Sequence, residues 1–228
     1  MGFFSFLKSA FKNRNPVLKS PRDITDSLIK SIINNDLDSL TIDYDFAKGD
    51  IFGNPFREAD DKQRLKRIEF KVILTGNVTS LEEAFSNMKS LEFVNLTDTS
   101  MITNMKGMFR GAASFNQPIG HWDVSNVTNM EEMFMFAESF NQPLDKWNVS
   151  NVVNMCHMFA YAKSFNQPIG NWDVSSVADM SFMFTMAESF NQPLDDWKPN
   201  DPADLLGMFD GATACSHPYS FLKPKEAQ

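Results

Sequence analysis

The chain has 228 residues, a hydrophobic fraction of 43%, ample for a core, and a formal net charge of −8. With no lysine-rich block along its repeats, that charge argues against a nucleic-acid partner and favours a basic protein. Two cysteines, Cys156 and Cys215, cannot build a disulfide framework, so a reducing compartment is the simpler expectation.

Residues 1–20 open with Met1-Gly2-Phe3-Phe4-Ser5-Phe6-Leu7-Lys8, too short and too charged for a transmembrane span or a secretory core. Phe6 stands where a myristoylation pattern needs Ser or Thr. Phe3, Phe4, Leu7 and Phe11 recur at roughly helical spacing beside Lys8, Lys12 and Arg14. Membrane contact is therefore expected only through residues 3–12, the alternative being a flexible or cap-packed terminus. Residues 21–36 predict a capping helix, because Ile24, Leu28, Ile29, Ile32 and Ile33 share one helical face after the start signal Ser20-Pro21. An open stack of repeats needs its first coil covered.

From residue 37 to 113 a degenerate outline recurs: Leu37-x-x-Leu40-x-Ile42, Leu65-x-x-Ile68-x-Phe70 and Leu91-x-x-Val94-x-Leu96. Residues 114–213 hold four regular copies of 25 residues, each beginning Ser-Phe-Asn-Gln-Pro, at Ser114, Ser139, Ser164 and Ser189. Such a period means stacked structural units that share one continuous core. Phe115/140/165/190, Trp122/147/172/197, Val124/149/174, Met130/155/180 and Phe134/159/184/209 are the fixed apolar positions. They predict stacked Phe and Trp ladders, each buried ring contributing roughly 1.5–3 kcal/mol.

Within a copy, Ile119-x-x-Trp122-x-Val124 predicts a short parallel strand and Val127 to Phe134 about two turns of helix, with Val127, Met130 and Phe134 on one face. Asn-Gln-Pro reads as the turn that stops it. The fold class expected is thus an α/β repeat solenoid, leucine-rich-repeat-like, with one short strand and one short helix per coil. Pro-Ile-Gly precedes Trp122 and Trp172, whereas Pro-Leu-Asp precedes Trp147 and Trp197. This alternation reads as the history of a duplicated pair of coils rather than chemistry. Residues 214–228 read as a loose tail.

If Trp122 and Val124 point inward, His121, Asp123, Lys146, Asn148, Asn171, Asp173, Asp196 and Lys198 form a polar strand-side face on the order of 20 Å long, at about 4.8 Å per strand. They are the candidate ligand-binding residues; the competing reading is a solvated face with Asn ladders holding the stack. Asp123 and Asp173 lie on alternate coils, roughly 10 Å apart, too far for a retaining-glycosidase pair and without the oxygen cage calcium needs. Cys156-His157 and Cys215-Ser216-His217 lack metal-ligand spacing. No phosphate loop or nucleophile elbow occurs, so no catalytic residue, metal or cofactor is expected. Sequons such as Asn126-Val127-Thr128 copy the repeat and read as turns. Phe136, Tyr161 and Met186 share one variable position, read either as packing or as a second exposed patch.

Phe115-Asn116-Gln117-Pro118-Ile119-Gly120-His121-Trp122-Asp123-Val124-Ser125-Asn126-Val127-Thr128-Asn129-Met130-Glu131-Glu132-Met133-Phe134 resembles the unit of the BspA-like leucine-rich repeat family, strongly over half the chain and weakly over most of the rest. The segment from Pro21 to Asp43 is similar to the helix that opens such arrays. The resemblance implies a non-enzymatic bacterial interaction protein, often a surface adhesin that binds a host or extracellular-matrix protein. Surface members usually carry an export signal and none is recognisable here, so a cytoplasmic location is expected, the alternative being the cell surface or export by a non-standard route. A cytosolic inhibitor or immunity-type binder of a basic protein is the alternative function, and a polymer-acting hydrolase the rival from another class.

Overall fold

The computed structural model describes residues 17–18, 39–42, 67–70, 79–96 and 98–216. The expected capping helix at 21–36 and the amphipathic stretch at 3–12 lie outside the described residues. Four parallel strands form one sheet in chain order: β1 (Val17–Leu18), β2 (Ser39–Ile42), β3 (Arg67–Phe70) and β4 (Phe93–Asn95). The register sets Leu40 opposite Ile68, and Ile68 opposite Val94. Val17 pairs with Thr41, so the sheet begins one strand before the first coil read from sequence.

From residue 79 onward each coil hydrogen-bonds to the next. Single parallel bridges link Ser80 to Asn104, Asn104 to Asn129, Asn129 to Asn154, Asn154 to Asp179 and Asp179 to Asp204. The backbone beside these bridges follows a two-part rule. N–H groups of Met105, Gly107, Phe109 and Gly111 donate to carbonyls of the following coil, Asn129, Glu131, Met133 and Met135, at 2.7–2.9 Å. Those of Met108, Arg110 and Ala112 instead donate three residues back within their own coil, at 3.0–3.2 Å.

This corrects the expected helix. Every second N–H is drawn to the next coil, so no four-residue ladder can form, and the segments 106–111, 131–136, 156–161, 181–186 and 206–211 are turns. The expected strand at Ile119 to Val124, and its equivalents in the regular coils, is not formed either. Pro118 has no N–H to donate, and the N–H of Trp122 closes a turn onto Ile119 at 3.0 Å, which takes two donors from any ladder. The inward positions nonetheless hold, with Trp122, Val124, Val127, Met130 and Phe134 all buried.

Three ladders fill and bind the stack. Phe109, Phe134, Phe159, Phe184 and Phe209 stack at 5.5–5.8 Å between centroids, and Phe115, Phe140, Phe165 and Phe190 at 6.0–6.1 Å. The two columns touch within each coil, as Phe159 does Phe165 at 3.9 Å. Trp147, Trp172 and Trp197 stack at 6.5 Å, and each donates its Nε1–H to the preceding coil, at Ile119, Leu144 and Ile169. Burying an indole requires such a partner for its N–H.

The third ladder explains the repeated Asn-Gln. Asn116 Oδ1 accepts from the Asn141 N–H at 2.9 Å and from Gln142 Nε2 at 3.0 Å. Asn141 and Asn166 receive the same pair from the following coil, and Asn191 closes the series on the N–H and hydroxyl of Ser216. The first residues of the expected tail, 214–216, therefore belong to the last coil.

Alternation has a steric cause, which corrects the reading of it as history. A Cβ on Gly120 would lie 2.8 Å from the Pro143 carbonyl oxygen, and one on Gly170 would lie 2.6 Å from that of Pro193. Both distances are below any real Cβ contact, so these two coils need glycine where Asp145 and Asp195 stand in the others.

Candidate functional site

All eight residues of the expected binding face are exposed: His121, Asp123, Lys146, Asn148, Asn171, Asp173, Asp196 and Lys198. Half of them hold the backbone. Asp123, Asn148 and Asp173 each accept the N–H of the serine two residues on, at 3.0, 3.2 and 3.1 Å, and so close Asx turns. Asn171 donates to the Asp145 carbonyl of the preceding coil at 2.7 Å. The hydroxyls and N–H groups of Ser125 and Ser175 hold the Asp123 and Asp173 carboxyls below the usual carboxylate range, keeping them ionised and acceptor-only. His121, Lys146, Asp196 and Lys198 are left as the outward, non-repeated side chains of this face.

Next to it a depression of about 260 Å³ is lined by Asp145, Pro168, Gly170, Asn171, Pro193, Asp195 and Asp196. No cluster of three or more His, Cys, Asp or Glu able to hold a metal occurs among the described residues. Cys156 Sγ lies 3.0 Å from His157 Nδ1, with the Ser181 hydroxyl 3.2 Å from the sulfur. Burial pushes the Cys156 thiol up, with the Ser181 bond opposing it, which favours the thiol over the thiolate.

A second surface comes from the turn segments that replace the expected helices. Two positions per coil take left-handed backbone: Glu83, Gly107, Glu132, His157, Phe182 and Gly207 in one column, and Asn87, Gly111, Phe136, Tyr161, Met186 and Gly211 in the other, with φ between 52° and 71°. Glycine adopts this conformation freely, whereas an L side chain there costs roughly 1–2 kcal/mol. Alternate peptides turned toward the next coil impose the geometry, yet the middle coils fill it with large side chains. Phe136 and Tyr161 stack at 4.5 Å, and His157 and Phe182 at 4.9 Å. Phe136 is 37% exposed, Met186 41% and Leu206 66%. The columns end where glycine admits them, for a Cβ on Gly207 would meet the Phe182 ring at 2.5 Å.

Polarity changes along these columns. The earlier coils carry ion pairs, Lys106 to Glu131 at 2.9 Å and Arg110 to Glu132 at 3.0 Å. Later coils place Cys156, Ser181 and Leu206 in the column of Lys106, and His157 and Phe182 in the column of Glu132. The sequence marked Phe136, Tyr161 and Met186 as one variable position, and His157, in the place of Glu132 and Phe182, as variable surface, but not Leu206 beside them. A further signal was the glycine that recurs within each column, Gly107 and Gly207, Gly111 and Gly211.

No helix among the described residues is long and apolar enough to cross a membrane. No curated protein and no solved structure matches the chain. One family model matches it twice, over residues 79–171 and again over 145–224, as a repeated unit would. The chain is a repeat protein and belongs to the family described as Mycoplasma protein of unknown function, DUF285.

Proposed function

We propose that the protein is a non-enzymatic binding module, a leucine-rich-repeat-like solenoid of the BspA-like type whose ligand is another protein. The observation that carries this reading is a division of labour within the repeat. Its fixed residues are spent on the stack: the Phe and Trp ladders are buried, and Asn116, Asn141, Asn166 and Asn191 each tie one coil to the next. His121, Lys146, Asn171 and Asp196, which differ from coil to coil, all face solvent, and extended exposed surfaces are what stacked repeats offer a partner. His121, Lys146, Asp196 and Lys198 are the contact residues proposed on the Trp-bearing side, since the other four polar residues there serve the backbone.

The acidic charge supports a second reading, a binder that neutralises a basic intracellular protein. Residues 154–213 contain eight acidic side chains and two basic ones, Lys163 and Lys198.

The test is affinity capture with the intact chain beside a variant carrying His121→Glu, Lys146→Glu and Asp196→Lys, both checked by circular dichroism. Protein partners enriched by the natural chain and lost by the variant are the expected result. Turnover of a polysaccharide or peptide substrate by the purified chain would overturn the reading, and unchanged capture would remove this face from it.

A further inference from the structure

We infer that the left-handed face of the later coils is a docking surface for a cationic amphipathic segment of another protein. The inference rests on the protein-binding reading above but assigns a different part of the coil and a specific ligand chemistry. Its apolar floor is formed by Phe136, Tyr161 and Met186 in one column, with His157, Phe182 and Leu206 beside them. Apart from Leu206, these side chains sit on left-handed backbone that the same columns give to glycine at Gly107, Gly111, Gly207 and Gly211, with φ of 60°, 59° and 57° at Phe136, Tyr161 and Met186. Phe182 and Met186 lie over Gly207 and Gly211 of the next coil, yet the backbone itself is completed at Gly107, Gly111, Gly207 and Gly211 without a side chain. Retaining bulky residues against backbone preference, with Phe136, Met186 and Leu206 exposed and Tyr161, His157 and Phe182 half-buried, points to use of their exposed edges.

Charge selects the partner. Asp204, Asp210 and Glu188 are exposed around this face, and Lys163, among the described residues beside it, is paired to Glu138 at 3.2 Å. The ion pairs of the earlier coils give way here to apolar residues with an acidic surround. An acidic or purely polar segment would meet repulsion or an unfilled apolar floor. A segment with aromatic or aliphatic residues on one side and Lys or Arg on the other satisfies both features. Three coils at about 4.8 Å per step extend some 15 Å, which fits about ten residues of helix at 1.5 Å each.

Titrating the intact chain with a synthetic 18-residue amphipathic peptide of Leu, Phe and Lys, followed by fluorescence anisotropy, tests this directly. Two reference peptides have Glu in place of Lys, or the same composition scrambled. Saturable binding of the basic amphipathic peptide is expected, weakened at least tenfold by the triple change Phe136→Gly, Tyr161→Gly and Met186→Gly. Glycine suits the backbone at all three positions, so this variant keeps its fold, which its thermal transition verifies. A variant altered at His121, Lys146 and Asp196 should bind the peptide as the natural chain does; loss there and not in the glycine variant would assign binding to the Trp-bearing side and overturn the inference. Equal affinity for all three peptides, no binding, or self-association of the chain abolished by the glycine changes would overturn it as well.

Discussion

Replacing Phe159 by alanine is expected to destabilise the fold by about 3–5 kcal/mol, the range for removing a fully buried aromatic ring. Phe159 is 0% exposed and touches four rings: Phe134 at 5.5 Å, Phe184 at 5.8 Å, Phe165 at 3.9 Å and Trp172 at 6.4 Å. The cavity cannot close readily, because each neighbouring ring belongs to a coil held by its own hydrogen bonds. The Phe134 N–H donates to the Met158 carbonyl and the Phe159 N–H to the Met183 carbonyl, both at 2.9 Å, so a shift of either coil would break bonds along its whole turn segment. Urea denaturation followed by tryptophan fluorescence measures the loss. A change below about 1 kcal/mol would mean that the ladder does not carry the core. The half-buried Phe182, on the outer left-handed column, should cost far less when changed to glycine, since the relieved backbone offsets lost packing.

Gly170→Ala is expected to cost about 1–3 kcal/mol, although it adds a single methyl group. That methyl would stand 2.6 Å from the carbonyl oxygen of Pro193, and the atom it meets is backbone rather than a side chain that could rotate away. The two coils must separate, and Asn166, whose Oδ1 receives the Asn191 N–H and Gln192 Nε2 at 2.9 Å each, sits in the turn leading to that junction. Asp145→Ala, at the equivalent position one coil earlier, should change stability by no more than about 0.5 kcal/mol, because Asn171 uses the Asp145 backbone carbonyl and not its side chain. Equal effects of the two substitutions would show that the alternation of Gly and Asp has no structural cause.

The residues that face inward were legible in the sequence, while the backbone that presents them was not. Met130, Met133, Phe134 and Ala137 are all buried, the spacing of a helical face, yet the chain reaches that spacing with paired turns and one left-handed residue in four. Apolar periodicity reports which way side chains point, and two different backbones can share it. Trp122 and Val124 likewise alternate inward as a strand would, on a segment that Pro118 precedes and where the Trp122 N–H closes a local turn. The binding face suffered for the same reason: Asp123, Asn148 and Asp173 looked like outward ligand contacts, but a side chain that closes an Asx turn is exposed and structural at once. The constancy of Asn and Gln in Ser-Phe-Asn-Gln-Pro was the neglected clue, for a turn alone does not require both.

The central claim is a stack whose coils touch only their neighbours, with binding carried by what differs between them. Deleting residues 139–188 joins Glu138 to Ser189, restores the native Ala-Glu-Ser-Phe sequence at the junction, and keeps the alternation of glycine and aspartate coils. It also removes Tyr161, His157, Phe182 and Met186. Thermal unfolding of this shortened chain by circular dichroism is the most direct measurement. The account predicts a cooperative transition with unchanged signal per residue, accompanied by loss of the basic amphipathic peptide. A shortened chain that shows no transition, or one that folds and still binds the peptide at full strength, would contradict it.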